Sequence, residues 1–306
     1  MPRKAPRIRF LADLAPGAER LDRVVGKALT GLGVVSSTRE ARQLVEAGMV
    51  TVDGRRADRP SQRLRGGERV EVDDPRRWRE DAPKRVTLDE AAIVHDDSLL
   101  IAVNKPSNLP TNATRNPDRD HLLAATARFL EERDGAPSPE LFAVHRLDAG
   151  TSGVVVMPKG REANASLAKA FSERRVLKTY DAVVFDEEQS LPDRFIVEAY
   201  LKAQGRRSVA VRAGGRPSRT EFRVMRRAGP RALVEARPTT GRMHQIRVHL
   251  SGRGAPILGD HLYGNRDAHG PRLMLHARRL VIPHPEDGRE LVLTAATPQA
   301  LIDALG

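Results

Sequence analysis

The chain has 306 residues, of which 40% are hydrophobic and 30% charged, a composition typical of folded soluble domains rather than of disordered chains. Lysine and arginine number 52 against 40 acidic residues, so the formal net charge of +12 favours a polyanionic partner, nucleic acid first. The sequence contains no cysteine, which excludes disulfides, thiolate nucleophiles and cysteine-ligated zinc or iron–sulfur sites.

The N-terminal part predicts a small basic domain behind a charged arm. Residues 1–17 contain three prolines among basic residues and are predicted to be disordered. They lack the apolar segment of a secretory signal, and no later stretch has the length of a membrane span, so we expect a cytoplasmic protein. Two short helices follow, one beginning at Leu21 with helical apolar spacing and one at the capping box Ser37-Thr38-Arg39-Glu40. Residues 49–55 then alternate into an Asp53-Gly54 hairpin turn.

Residues 18–75 resemble the S4 RNA-binding domain. The resemblance follows, in order, Arg20-Leu21-Asp22, Ser37, Ala41-Arg42-Gln43-Leu44-Val45 and residues 48–54. Basic residues on the two helices are the expected RNA contacts: Arg20, Arg23, Arg39 and Arg42. A small basic subdomain with a solvated charged face is the alternative. The charged, proline-containing residues 76–85 predict a linker between this domain and the next.

Short strands dominate from residue 86 to the end. We predict strands at 93–95, 99–103, 179–185, 208–212, 220–226, 232–237, 273–276 and 291–294. We predict helices at 120–133, 161–174 and 243–250, and a short one at the C-terminus. Because strands and helices do not alternate as in β-α-β units, residues 86–306 predict an α+β domain with a mainly antiparallel, mixed sheet, following a small α/β N-terminal domain.

Asp148 is the carboxylate that the sequence favours for a chemical role. In the segment 143–157, Asp148 follows His145-Arg146 on a turn of small residues, which predicts a loop between two core strands. By itself such an aspartate is usually structural. Arg247 lies among apolar neighbours and needs an anionic partner, which is either Asp148 or any nearby acid in a structural salt bridge. Tyr180 begins a strand, where the alternative is simple packing.

Other chemistries have little support in the spacing of residues. The sequence has no His-Glu-x-x-His, Gly-x-Gly-x-x-Gly or Walker pattern, so we expect neither a metal nor a nucleotide cofactor. Ser152 lies in Gly150-Thr151-Ser152-Gly153, one residue short of the Gly-x-Ser-x-Gly elbow of hydrolases. A serine hydrolase would need a base partner that no local motif supplies.

Three segments together resemble the main motifs of the RluA-type pseudouridine synthases. They are residues 145–153, Lys178-Thr179-Tyr180 and residues 240–250, followed by Gly259-Asp260-His261-Leu262-Tyr263-Gly264 and Leu273-Met274-Leu275-His276-Ala277. The resemblance implies the pseudouridine synthase fold, with Asp148 as catalytic aspartate, Tyr180 against the target base and Arg247 paired with Asp148. It also implies that Arg146 enters the RNA stack where the uridine leaves it. His145, Arg242 and His244 are further expected RNA contacts, and no cofactor is implied.

We therefore expect a monomeric RNA pseudouridine synthase acting on large-subunit (23S) ribosomal RNA, since an S4 domain precedes the catalytic domain in the family's ribosomal branch. The alternatives are a transfer-RNA pseudouridine synthase and a non-catalytic RNA-binding or ribosome-assembly factor. Neither the modified uridine nor the role of Asp148, nucleophile or base, follows from the sequence. After Asn104-Lys105-Pro106 the family usually has a small residue, then glycine, then His-Pro; residues 107–113 depart from this pattern. That departure bears on the target site rather than on catalysis.

Overall fold

The computed structural model describes residues 7–12, 18–35, 37–46, 48–57, 59–73, 85–114, 119–264, 268 and 270–306. The chain divides into two compact units: residues 1–81 with 203–207, and residues 82–202 with 208–306. The predicted linker 76–85 lies outside the described residues except for Arg85. Within the described ranges, no helix is both long enough and apolar enough to cross a membrane.

The described part of the first unit contains two helices, a four-stranded sheet and a short two-stranded one. Its elements are β1 (Arg7–Leu11), β2 (Glu19–Arg20), α1 (Leu21–Gly31), α2 (Thr38–Glu46), β3 (Val50–Val52), β4 (Arg55–Arg56), β5 (Arg63–Leu64) and β6 (Arg69–Asp73). The sheet order is β1-β6-β3-β4, and β2 pairs with β5. Local signals are confirmed: the backbone N–H of Glu40 donates to Ser37 Oγ at 3.3 Å, and Asp53 and Gly54 both have positive φ in the β3–β4 turn.

The prediction of a disordered arm over residues 1–17 is wrong for part of its length. Arg7–Leu11 forms strand β1, antiparallel to β6, with Arg7 opposite Asp73 and Leu11 opposite Arg69. The physical reason is an alternation hidden by the basic composition: Ile8 and Phe10 pack against the apolar core of the unit. Residues 1–6 and 13–17 of the predicted arm lie outside the described residues.

The second unit is built on a large mixed sheet, as predicted. Its elements are a short 3₁₀ helix (Glu90–Ala92), β7 (Ile93–Asp96), β8 (Leu100–Lys105), α3 (Leu122–Asp134), β9 (Ser152–Pro158), α4 (Arg161–Ser172), β10 (Leu177–Phe185), β11 (Arg194–Gln204), β12 (Arg207–Val211), β13 (Arg216–Ala228), β14 (Arg231–Pro238), α5 (Gln245–Gly252), β15 (Leu275–Pro283), β16 (Glu290–Thr294) and α6 (Gln299–Leu305). The strand order is β12-β11-β13-β14-β10-β15-β9-β8-β7, with β16 paired to β15. The pair β9–β15 is parallel, whereas β8–β9 and β10–β15 are antiparallel.

Three local expectations need correction. Strand β11 was not predicted, because two exposed apolar residues, Ile196 and Tyr200, obscure the alternation of its sequence. Its more buried face is regular and apolar, with Phe195, Val197, Ala199 and Leu201. The loop of Asp148 is not held between two strands: only β9 follows it, and residues 143–147 before it form no strand. The third helix begins at Gln245, two residues later than predicted, because His244 adopts a left-handed φ of 56° that a helix cannot include.

Strand β9 fixes the position of the Asp148 loop. All seven of its residues are buried, and they alternate between two apolar clusters. Val155 and Met157 belong to one cluster, with α3, while Val154 and Val156 belong to the other, with α4. A strand buried on both faces is held rigidly by its neighbours. The C-terminal end of the loop that leads into it is therefore fixed in position.

Candidate active site

A cavity of about 740 Å³ opens in the second unit where the Asp148 loop, the start of β10 and the loop before α5 meet. Among the described residues that line it, the basic side chains are Arg146, Arg174, Lys178, Arg242 and Arg247, and the only carboxylate is Asp148. A cavity with this charge distribution attracts an anionic ligand.

The backbone on both sides of Asp148 is anchored by the last residue of β8 and the segment that follows it. Lys105 is fully buried, and its Nζ donates to the carbonyl oxygens of Ala149, Leu109 and Pro106 at 3.1, 2.7 and 2.9 Å. Ser107 Oγ donates to Gly150 O at 2.7 Å, and Thr111 Oγ1 donates to Leu147 O at 3.0 Å. Asp148 itself keeps a side chain that is 26% exposed. The loop is therefore fixed while its carboxylate stays accessible.

Arg247 is held by two carboxylates. Its Nε and Nη2 donate to Asp260 at 2.7 Å each, and its Nη1 donates to Asp148 Oδ2 at 3.1 Å. The backbone N–H groups of Leu262 and Tyr263 also donate to Asp260 Oδ1. Burial opposes the charged form of Arg247, but its hydrogen bonds to the two carboxylates outweigh that cost and raise its pKa. Asp260 therefore orients the guanidinium, which in turn orients Asp148.

His244 lies next to the same carboxylate. Its Nε2 is 3.6 Å from Asp148 Oδ2, and its Nδ1 is 2.8 Å from the Tyr263 hydroxyl. Because that hydroxyl oxygen accepts from the backbone N–H of Ser208, its own proton is available to Nδ1. The tautomer with the proton on Nε2, facing Asp148, fits this arrangement. Burial lowers the pKa of His244, which keeps the ring neutral.

The loop before α5 is organised by buried Gln245. Its side-chain oxygen accepts from Thr240 Oγ1 at 2.7 Å and from the backbone N–H of Arg242 at 3.0 Å. Its Nε2 donates to Arg219 O and Thr220 Oγ1 on β13. Arg242 is half-buried, and its Nε donates to Pro217 O at 3.1 Å. These bonds place Arg242 and His244 at the cavity.

Tyr180 lines the cavity from β10 and packs against two apolar clusters. No hydrogen bond to its hydroxyl is found among the described residues. Burial, reinforced by the negative charge of Asp148, raises its pKa. The phenol is thus kept protonated, which suits packing against a base better than acting as a phenolate.

The remaining predicted RNA contacts of this unit differ in exposure. Arg146 is exposed at the cavity. His145 instead has a packing role: its Nε2 accepts from the backbone N–H of Val156 at 3.0 Å, and its ring stacks on Phe171 with centroids 4.9 Å apart. Burial lowers the pKa of His145 to about 3, so the ring is neutral and adds no charge toward RNA.

In the first unit, the predicted RNA contacts lie on α1, on α2 and at the end of β2. Arg20 precedes α1 and donates two hydrogen bonds to the buried Asp22, at 3.0 and 2.7 Å. Part of its guanidinium is therefore used within the fold and not for binding RNA. Arg23 and Arg42 are exposed. The side chain of Arg39 lies outside the described structure.

His276 lies within hydrogen-bond distance of Ser152 and could act as its base, but both side chains are buried. Ser152 Oγ is 3.0 Å from His276 Nδ1, and His276 Nε2 faces Ala295 O at 3.4 Å. Ser152 is 4% exposed and His276 is fully buried. Neither residue lines the cavity, so this pair supports a structural hydrogen bond and gives no support to a hydrolase. Across the described ranges, no group of three or more His, Asp or Glu residues could hold a metal ion.

Three residues that matter for this geometry received no role from the sequence. Asp260, Lys105 and Gln245 all lie inside segments that resemble the family or flank them, but nothing in their local spacing reveals their partners. Asn108 explains part of the departure after Pro106. It stands where the family has glycine and adopts a φ of 65°, a left-handed conformation that asparagine tolerates better than most residues.

Comparison with known proteins identifies the families to which the two units are similar. A family model described as RNA pseudouridylate synthase matches residues 99–252, and a model of the S4 domain matches residues 19–70. The ribosomal large subunit pseudouridine synthase D of Yersinia pestis is 30% identical over 306 residues, covering 94% of this chain and 90% of that protein. The dual-specificity RNA pseudouridine synthase RluA of Escherichia coli (strain K12) is 34% identical over 216 residues, covering 66% of this chain and 91% of that protein.

A solved structure, human RNA pseudouridylate synthase domain containing 4, matches with a TM-score of 0.59 and 27% sequence identity. The match covers 70% of this chain and 91% of that one. Both resemblances drawn from the sequence motifs are thereby confirmed. The chain belongs to the RNA pseudouridine synthase family and carries an S4 domain in front of the part that matches the synthase model.

Proposed function

We propose that this protein isomerises specific uridines to pseudouridine in large-subunit (23S) ribosomal RNA, with the cavity around Asp148 as its active site. The observation that carries the proposal is the accessible Asp148 carboxylate, oriented by Arg247 and lying in a basic cavity lined by Tyr180. A carboxylate held beside an aromatic side chain can position a nucleoside with its sugar at the carboxylate and its base against the ring.

The reaction breaks the bond between C1′ and N1 of uracil and forms one between C1′ and C5. The proton on C5 leaves and N1 gains one, so neither an oxidant nor an external energy source is needed. Asp148 acts at the sugar, as a nucleophile at C1′ or as a base, and both roles need its ionised form. Arg247, whose pKa is raised by its two carboxylate partners, stays charged and holds the carboxylate of Asp148 in place through a 3.1 Å hydrogen bond. Tyr180 packs against the base during its rotation, and its protonated hydroxyl can donate a hydrogen bond.

The substrate has to present an unstacked nucleotide. A base buried in a stacked helix cannot reach Asp148, so the uridine must swing out into the cavity. Arg146 is exposed at the cavity and would occupy the gap that the base leaves. Arg23 and Arg42 of the S4 domain would bind phosphates elsewhere on the RNA.

Ribosomal RNA is favoured over transfer RNA by the extent of the similarity. The relative from Yersinia pestis, whose name specifies the large ribosomal subunit, matches 94% of the chain, the S4 domain included. The relative named for dual specificity matches 66% of it. A non-catalytic assembly factor is disfavoured by the intact arrangement of Asp148, Tyr180 and Arg247. We further propose that the protein acts in the cytoplasm as a monomer.

Pseudouridine mapping tests the function directly. In cells lacking the protein, we expect one or more pseudouridines of large-subunit ribosomal RNA to disappear. The wild-type gene should restore them and the Asp148→Asn variant should not. Loss confined to transfer RNA would show that transfer RNA, and not ribosomal RNA, is the substrate. An unchanged map in both RNAs would refute the proposed activity.

A further inference from the structure

Arg174 lies two residues after the end of helix α4, in a conformation that suits glycine. Its φ is 59°, and the backbone N–H groups of Arg174 and Arg175 donate to Phe171 O and Ala170 O at 3.2 and 2.9 Å, closing the helix. Glycine is the usual residue at such a left-handed position, because a Cβ crowds the backbone there. Helix α3 of the same unit follows this rule and ends at Gly135, with a φ of 64°. The local fold alone thus favours glycine at position 174.

Arg174 borders the cavity and is not packed into the interior of the second unit. It lines the cavity that contains Asp148 and is exposed. Within the part of the chain that the structure describes, no ion pair or hydrogen bond involves its guanidinium. The adjacent acid, Glu173, is already paired with Arg175 at 2.8 Å. Arg174 is therefore a cation with no acidic partner in the described structure, placed beside the reaction site.

The surroundings point to an anion as its ligand. Arg146, Lys178 and Arg242 line the same cavity, and Asp148, the only described carboxylate there, is engaged by Arg247. A flipped nucleotide brings its phosphates close to the edge of the pocket that receives its base, and arginine is well suited to bind phosphate.

We propose that Arg174 binds a backbone phosphate of the RNA next to the uridine that enters the cavity, and that this contact is the reason an arginine occupies a glycine-like position. The inference rests on the proposed function and extends it by naming a phosphate-binding residue. The competing explanation is structural: a cation at the C-terminal end of a helix offsets the partial negative charge of that end.

Four full-length proteins separate these explanations: wild type, Arg174→Gly, Arg174→Lys and Arg175→Ala. Arg175→Ala is the matched control, because it removes a positive charge from the same helix end without removing one from the cavity lining. For each protein we would measure the midpoint of thermal unfolding, the dissociation constant for a ribosomal RNA fragment at several salt concentrations, and pseudouridine formation in a single turnover.

We expect Arg174→Gly to unfold at the same temperature as wild type or higher, yet to bind RNA about tenfold more weakly. The slope of log affinity against log salt should fall by about 0.7 to 0.9, as for one lost phosphate contact. Arg174→Lys should recover most of the affinity, and Arg175→Ala should bind within about twofold of wild type.

The proposal is overturned if Arg174→Gly binds with wild-type affinity and slope, or if Arg175→Ala loses as much affinity as Arg174→Gly. A lower unfolding temperature for Arg174→Gly would assign the residue to the helix end instead. Failure of the proposed function is a separate result: wild type would then form no pseudouridine, while the affinities and salt slopes would still decide whether Arg174 contacts phosphate.

Discussion

Asp260 offers a sharp test of how the site is held together. Its side chain is fully buried, makes two 2.7 Å hydrogen bonds to Arg247 and accepts two backbone N–H groups. Asp260→Ala leaves the guanidinium of Arg247, itself only 9% exposed, with the hydrogen bond to Asp148 alone. Removing one partner of a buried ion pair costs about 3–5 kcal/mol, and we expect that loss in the free energy of unfolding of the second unit.

A second variant separates the buried charge from the loss of contacts. In Asp260→Ala/Arg247→Met neither charge remains buried, so we expect the double variant to be more stable than Asp260→Ala by about 1–3 kcal/mol. Pseudouridine formation should be lost in the double variant. In Asp260→Ala it should fall by about 100-fold or more, because Arg247 no longer orients Asp148.

Urea unfolding followed by circular dichroism measures these differences, and an in vitro pseudouridine assay measures the activity. Asp287→Ala is a matched control in the same unit, since Asp287 is 50% exposed and its contacts with Arg289 and His284, at 3.5 and 3.7 Å, should contribute less than about 1 kcal/mol. The reasoning is refuted if Asp260→Ala costs no more than this control, or if the double variant is no more stable than Asp260→Ala.

Four further predictions follow from the same geometry. Asp148→Asn should abolish pseudouridine formation while RNA affinity at fixed salt changes little; modification persisting in carbodiimide mapping would contradict the assigned role. Asn108→Gly should keep or raise the midpoint of thermal unfolding, because the φ of 65° suits glycine, and a lower midpoint would show that the asparagine side chain is needed. Burial lowers the pKa of His249 to about 4, so the unfolded chain takes up this proton first as the pH falls. Its contribution to stability should be complete above about pH 6.5 and be lost between there and pH 4, and urea titrations of His249→Gln should show a weaker decline over that range. Removing residues 1–80 should weaken RNA binding and flatten its salt dependence, and an unchanged slope would mean that the S4 domain contributes no phosphate contacts.

Local signals in the sequence were sufficient for much of the fold. The capping box at Ser37, the Asp53-Gly54 turn and the helices α3 and α4 depend on neighbouring residues. All four are observed, the two helices within two residues of their predicted bounds. The strand Arg7–Leu11 was missed because basic residues alternate there with Ile8 and Phe10. This short alternation forms a strand only by pairing with β6, which places Ile8 and Phe10 against the apolar core.

By itself, the sequence determined the family and the residues available for chemistry, since motifs are local and retain their residue types and spacing whatever the fold. Only the tertiary structure decided how those residues are arranged. Asp148 and Arg247 are 99 residues apart, and they meet because β9 and α5 deliver them to the same cavity. The two hydrogen bonds that Arg247 donates to Asp260, and the contact of buried Lys105 with the Asp148 loop, likewise arise from long-range packing. Such contacts depend on the order of strands in the sheet, which no local pattern of residues specifies.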